Sequence, residues 1–340
     1  MKQMSRRERL QAAINRQPTD RVPFAVWRHF PAVDRSPAGL AQSTLRFHEH
    51  YGSDFLKITP RGGYAVEAWG CVESEEVLPT GHRACASCAV KHADDWKRIR
   101  ALDPASAAGW VEELETIIRL GFDRRIGDAP VLPTVFSPLS LARKLSGNRL
   151  AHDLREHPGI VTGALEAITD TLIKFADLAL REGVSGIFYS IQTASRSVLD
   201  DELYARFGEP YDRRVLDEIH PRSFLTIVHC HGDALMFERL ARLPGHVWNW
   251  DDRAAGPGLA EGRSLVAGAV CGGLDQARTL FRGTAEEAVE EARQAVASVG
   301  GAGVIVAPGC VLLAGTPDTT VSAVVKALGG PLKPIPGLKT

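Results

Sequence analysis

The residues best suited to chemistry are a run of soft and basic donors, His229-Cys230-His231-Gly232, and a lone thiol at Cys310. On a strand, alternate side chains share a face, so His229 and His231 point one way and Cys230 the other. Two imidazoles on one face, joined by the Cys310 thiol, make the ligand set of a catalytic Zn²⁺ site with an open fourth position. Asp251 is a candidate fourth ligand, or the carboxylate that orients one imidazole from behind. The alternative leaves one histidine as a hydrogen-bonded core residue and the other as a substrate contact. Asp251-Asp252 is also a candidate acid/base pair, because adjacent carboxylates shift one another's pKa, with Arg253 neutralising the member that faces away. Arg28, Arg61 and Arg196 are candidates for holding an anionic substrate through bidentate pairing. Cys85-x-x-Cys88, flanked by His82 and His92, reads as a zinc knuckle or, more simply, as small side chains packed in a hairpin.

These residues need elements that bring them together. Eight short apolar, β-rich runs stand between breakers: Val22–Trp27, Phe55–Thr59, Val131–Phe136, Gly186–Ile191, Phe224–His229, Val247–Trp250, Ala267–Gly272 and Val304–Ala307. Helical patterns fill most gaps, such as 163–182 and the stretch opened by the capping-box signature at Thr284. Strands alternating with helices predict a parallel sheet, and eight of them predict a closed (β/α)₈ TIM barrel spanning residues 1–340 as one domain. No Gly-x-Gly-x-x-Gly follows the first run, which disfavours an open dinucleotide-binding sheet. An N-terminal helix precedes the barrel, and the gap from Pro60 to Ala129 predicts an excursion with a hairpin at Cys71–Val90 and a helix at Trp110–Leu120. Barrel chemistry sits at C-terminal strand ends. Those ends carry Arg28 and His29, Arg61, Tyr189, Ser190 and Gln192, His229 to His231, Asn249 and Asp251, and Cys310. We therefore expect Asp251, Tyr189 and Ser190 to serve catalysis, and Arg28, His29, Arg61, Gln192 and Asn249 to bind substrate. In the Trp248-Asn249-Trp250-Asp251-Asp252 run, Asn249 and Asp251 should face the cavity, with both tryptophans and Asp252 turned away.

Composition narrows the partners. The 340 residues carry 40 Lys+Arg against 41 Asp+Glu, a net charge of −1, which gives no footprint for nucleic acid or an anionic membrane. The best candidate for a spanning segment, the uncharged Gly303 to Pro317, is broken by Pro308 and three glycines and cannot form a spanning helix. Six cysteines are too few for a secreted disulfide scaffold, so reduced thiols in a cytoplasm are expected. A small-molecule substrate is expected, with room left for a homodimer.

The opening helix with Thr19-Asp20-Arg21-Val22-Pro23, the Phe136-Ser137-Pro138-Leu139-Ser140 motif, and Gly309-Cys310 followed by Thr316-Pro317 resemble the uroporphyrinogen decarboxylase superfamily. The likeness spans nearly the whole chain and implies a (β/α)₈ barrel. The decarboxylases proper carry an arginine-rich segment after the first strand, where this chain reads Trp27-Arg28-His29-Phe30-Pro31. Their catalytic aspartate falls near Arg61, their tyrosine near Lys144 and their histidine on Cys310, and Ser190 alone survives. Within the same superfamily, the methylcobamide:coenzyme M methyltransferases hold Zn²⁺ through His-x-Cys and a later Cys. That resemblance places His229, His231 and Cys310 on the three ligands, with histidine replacing one cysteine. It implies a zinc-dependent methyltransferase or demethylase, with a corrinoid-bound methyl group as co-substrate and a corrinoid protein as partner. The competing expectations are a metal-free decarboxylase anchoring its acid through Arg28 and Arg61, and a non-catalytic corrinoid- or tetrapyrrole-binding barrel.

Overall fold

Seven of the apolar runs assemble into one curled parallel sheet in the computed structural model, which describes residues 3–333. Its strands are β1 (Leu56–Ile58), β4 (Val131–Phe136), β5 (Gly186–Ile191), β6 (Leu225–Cys230), β7 (Val247–Trp250), β8 (Ala269–Leu274) and β9 (Val304–Pro308), hydrogen-bonded in that order. The intervening β2 (Val72–Val77) and β3 (Arg83–Ser87) form a separate antiparallel hairpin. It lies in the long excursion between β1 and β4, which also contains a helix at Trp110–Gly121.

The expected first strand is a correction: residues 22–27 make a single parallel bridge, Phe24 to Val306, rather than an eighth strand. On the β9 side, Ala25 N donates to Val306 O (3.0 Å) and Val306 N to Pro23 O (2.9 Å). On the β1 side one backbone bond, Asp54 N to Phe24 O (2.8 Å), is joined by side-chain bonds in place of a ladder: Phe24 N donates to Asp54 Oδ2 (2.9 Å) and Val26 N to Ser53 Oγ (3.3 Å). Pro23 has no N–H to extend the pairing. The segment therefore lies between the two edge strands of the curled sheet, a geometry consistent with a TIM-like barrel.

Strand alternation divides the apolar residues into an inner and an outer set. The inner set, including Phe188, Leu225, Ile227, Val247, Ala269, Cys271, Ile305 and Ala307, packs with Leu10 of the helix Arg6–Ile14. The outer set, including Val228, Cys230, Trp248 and Trp250, packs against the surrounding helices. That N-terminal helix is fixed by a buried charge network. Arg9 donates to Asp20 and Asp54 (2.7 Å each), and Arg21 donates to Asp54 (2.8 Å). Asp54 is fully buried and also holds Phe24 N, so it ties the helix, the bridge segment and the start of β1 together.

Replacing Asp54 with Ala leaves Arg9 with Asp20 alone and Arg21 with no carboxylate partner. Breaking a buried pair in this way costs about 3–5 kcal/mol. Urea unfolding of Asp54→Ala should show a loss of that size, and a change under about 1 kcal/mol would mean that the network does not hold the N-terminal segment.

Candidate metal centre

Parallel register sets four residues side by side at one level of the sheet. Ser190 pairs with His229, His229 with Asn249, and Asn249 with Cys271. Partners in register face the same way, and this row faces inward. His231 follows β6, where Gly232 adopts φ +120° and a Cβ would come within 3.2 Å of Ser195 Cβ. Gly309 passes so close to β7 that a Cβ there would lie 2.4 Å from Asp251 Cα. Only glycine permits that approach, and it delivers Cys310 to the two histidines.

One ligand atom from each of His229, His231 and Cys310 lies within 4.8 Å of the other two, and this is the group of such donors that converges among the described residues. Cys310 Sγ is 3.6 Å from His231 Nδ1. Tetrahedral Zn²⁺, with Zn–N near 2.0–2.1 Å and Zn–S near 2.3 Å, sets ligand atoms about 3.3–3.7 Å apart, so small side-chain shifts complete the set. Asn249 sets the tautomer of His229. Its Nδ2 donates to Cys271 O (2.8 Å) and Pro308 O (3.2 Å), which turns Oδ1 toward His229 Nδ1 at 2.6 Å. His229 Nδ1–H is then the donor, and Nε2 is left with its lone pair free for a metal.

The electrostatics agree with a deprotonated sulfur. Burial alone would push the Cys310 thiol up, but the imidazoles of His229 and His231 beside it outweigh burial and hold the thiol well below its ordinary range. The Cys310 hydrogen bond raises His231 in turn, against its burial.

The triad opens onto a cavity of about 250 Å³ lined by Lys57, Thr59, Thr134, Lys144, Ser190 and Gln192, with Trp27, Phe136 and Phe188 as its aromatic walls. Lys57 donates to Thr59 Oγ1 (3.1 Å) and lies over the Phe188 ring at 4.7 Å. Burial lowers its ammonium to about 7, with Cys310 and then Glu113 opposing that shift. Lys144 lies over Phe136 at 4.6 Å and is likewise pushed down by burial. No carboxylate lines this cavity among the described residues. Sequence reasoning missed Lys57, although a lysine in the middle of the buried strand Leu56–Ile58 was itself a signal.

Several expected roles are corrected. Asp251 meets no imidazole: its oxygens accept from Ala254 N (3.1 Å) and Gln276 Nε2 (2.7 Å), because β7 ends at Trp250 and the chain turns away. Asp252, expected to face away, is buried and accepts from Gly273 N at 2.7 Å, and burial raises it to about 6. The orienting role foreseen for Asp251 geometrically belongs to Asn249. Tyr189 faces outward, donating to Asp212 at 2.8 Å, as alternation next to inward Ser190 requires. Arg61 is held by Glu67, by Glu73 (3.2 Å) and by Glu112 (3.2 Å), and so has no free fork for a substrate anion. Arg28 lines a separate crevice beside Phe47 and His48. Arg196 pairs with Asp201 on the surface. His29 does reach the metal-site cavity, and burial, followed by Lys57, drives its imidazole down to about 3.

Comparison with known proteins follows this geometry. The family model for uroporphyrinogen decarboxylase (URO-D) matches residues 5–330. The methylcobamide:CoM methyltransferase MtbA of Methanosarcina mazei is 24% identical over 346 residues, covering 96% of this chain and 98% of the relative. MtbA of Methanosarcina acetivorans is 22% identical over 343 residues, with the same coverage of 96% and 98%. Among solved structures, a methyltransferase from Methanosarcina mazei superposes with a TM-score of 0.81 at 19% identity, over 96% of this chain and 99% of that one. A B12-independent methionine synthase from Shewanella sp. W3-18-1 gives 0.57 at 13% identity, over 91% and 92%. At these identities the structural likenesses carry the fold.

Two outcomes test the centre. Asn249→Ala should weaken Zn²⁺ affinity about 10- to 100-fold in a chelator competition titration, while Asp251→Ala leaves it nearly unchanged. A loss at Asp251 with none at Asn249 would return the orienting role to Asp251. Affinity should also fall as pH drops through the raised pKa of His231, because the metal must displace that proton. A pH-independent affinity would exclude His231 as a ligand.

Proposed function

The chain belongs to the uroporphyrinogen decarboxylase family, and from that premise we propose that it is a zinc-dependent methyltransferase acting on a small anionic thiol or a similar one-carbon acceptor. The observation that carries this reading is the convergence of His229, His231 and Cys310 at the mouth of a carboxylate-free cavity. The names of the MtbA relatives, which cover nearly the whole chain, support the methyl-transfer class and a corrinoid-bound methyl group as co-substrate. The reading takes residues 5–330 as one closed barrel, with a corrinoid protein approaching its open end.

His229 Nε2, His231 Nδ1 and Cys310 Sγ would hold Zn²⁺, whose contribution when bound is to lower the pKa of a coordinated thiol and present it as a nucleophile. The remaining work falls to the chain itself. Lys57 and Lys144 supply positive charge opposite the ligand set and are placed to hold the acceptor's acidic group. Ser190 and Gln192 offer hydrogen bonds along the cavity wall, and Trp27, Phe136 and Phe188 exclude water from it. The decarboxylase alternative loses both of its anchors, since Arg61 is already paired and Arg28 lies elsewhere. A cavity of about 250 Å³ is also small beside the range of roughly 300–1,000 Å³ usual for drug-sized ligands, and a tetrapyrrole is larger still.

Methyl transfer from methylcobalamin to coenzyme M, followed by the visible absorbance of the cobalamin, tests this directly. Zinc-loaded protein should turn over, and Cys310→Ser should lose more than about 100-fold, beyond what outer-shell changes cost. Lys57→Met should raise KM for the anionic thiol more than it lowers kcat. Incubation with uroporphyrinogen should yield no coproporphyrinogen. Decarboxylation at an ordinary enzymatic rate, with no thiol methylation, would overturn the proposal.

A further inference from the structure

The hairpin carries a second pair of soft donors that the metal centre does not use. Cys85 on β3 and Cys88 just beyond it bring their Sγ atoms to 3.5 Å. The four residues of the sequence motif do not converge. His82 pairs with Thr80 Oγ1 (2.6 Å) and turns into the inner cavity, while His92 is exposed. Cys71 lies near enough to act on both thiols through its charge, but among the described residues no third donor converges on the pair, so the two form a dithiol rather than a metal site. A disulfide needs its sulfurs about 2.05 Å apart, so the pair must close by about 1.5 Å.

The two thiols also differ in the way that exchange chemistry requires. Cys85 is exposed and lines an outer cavity of about 720 Å³. Cys88 is half-buried against Gly147, and burial pushes its thiol up. Access therefore favours attack by Cys85 first.

We propose that Cys85 and Cys88 form a thiol–disulfide exchange site that closes reversibly against low-molecular-weight disulfides. The Cys85 thiolate attacks one sulfur of the small disulfide and expels the other half as a thiolate, which takes up the proton Cys85 released. The Cys88 thiolate then attacks Cys85 Sγ, forming the internal bond and expelling the second half as a thiol. Two protein thiols are oxidised, and one small disulfide is reduced to two thiols. Closure fixes the end of β3, whose hairpin also carries His82. Since His82, Gly62 and Lys144 line both the outer and inner cavities, the linked hairpin is part of the wall between them.

The test equilibrates the full chain with mixtures of reduced and oxidised glutathione, followed by alkylation, trypsin digestion and mass spectrometry. Cleavage after Arg83 and Lys91 releases residues 84–91, which hold both cysteines and no other. As the oxidised share rises, this segment should pass from doubly alkylated to internally linked, with no alkyl groups and two hydrogens lighter than the free dithiol peptide, and dithiothreitol should reverse the change. Cys85→Ser and Cys88→Ser should each abolish the linked form while leaving Zn²⁺ affinity at the metal centre unchanged. A segment that stays doubly alkylated throughout, a glutathione adduct that persists on Cys85, or a link from Cys85 to Cys71 would overturn the proposal.

Discussion

The Asn249 amide is the contact on which the rest of the centre depends. It stands on β7, orients His229 of β6 through Oδ1, and donates from Nδ2 to carbonyls of Cys271 on β8 and Pro308 on β9. One fully buried side chain thus joins four neighbouring strands at the level where the site begins. Because its donors are committed to backbone, its oxygen has one orientation, and His229 has one tautomer. The same bond to Pro308 fixes where β9 ends, two residues before Cys310. A buried amide left unpaired costs about 1–3 kcal/mol, so this arrangement is self-enforcing: strand register and ligand orientation fail together or not at all.

Charge is sorted between two neighbouring cavities. The inner one holds Lys57 and Lys144 with the Cys310 thiol and histidines, and its ammonium groups rest on the faces of Phe188 and Phe136. Aromatic faces offset part of the cost of burying a cation, but only part, and both lysines are pushed down accordingly. The outer cavity collects the carboxylates of Glu67, Glu73 and Glu112, and these are taken up by Arg61. Arg61 therefore acts as the direct counter-ion of these carboxylates, although Glu73 still acts on Lys144 and Glu113 on Lys57. An anion entering there meets two incompletely compensated ammonium groups.

Much of this was legible in the residue pattern, and its failures have definite causes. Alternation alone put His229 and His231 on one face, turned Trp248 and Trp250 outward and Asn249 inward. The same rule applied to Ser190 would have turned Tyr189 outward, and Tyr189 does bond Asp212 on the outer side. Asp251 was misplaced because alternation ends with the strand, and β7 stops at Trp250. Arg61 was read as a substrate anchor because its partners lie 6, 12 and 51 residues away, in an excursion whose folding no local rule describes. The first strand was overcounted for a similar reason: toward β1, Ser53 and Asp54 side chains take the place of most of its ladder.

Under the proposed reading, His231 in place of a thiolate would have a consequence for chemistry. Two neutral imidazoles and one thiolate around a dication would leave a formal charge of +1, whereas one imidazole and two thiolates would leave none. Less donation from the protein would make such a centre a stronger Lewis acid, which favours ionisation of a thiol near neutral pH. The same withdrawal would weaken that thiolate as a nucleophile, so a gain in ionised fraction would be set against a loss in intrinsic reactivity. The cavity beside the three donors holds Lys57 and Lys144 and, among the described residues, no acidic side chain in its lining. Electroneutrality would then fall to the acceptor. A molecule bearing both a thiolate and a second acidic group would satisfy the ligand position and the lysines at once, while a neutral thiol would satisfy only the first.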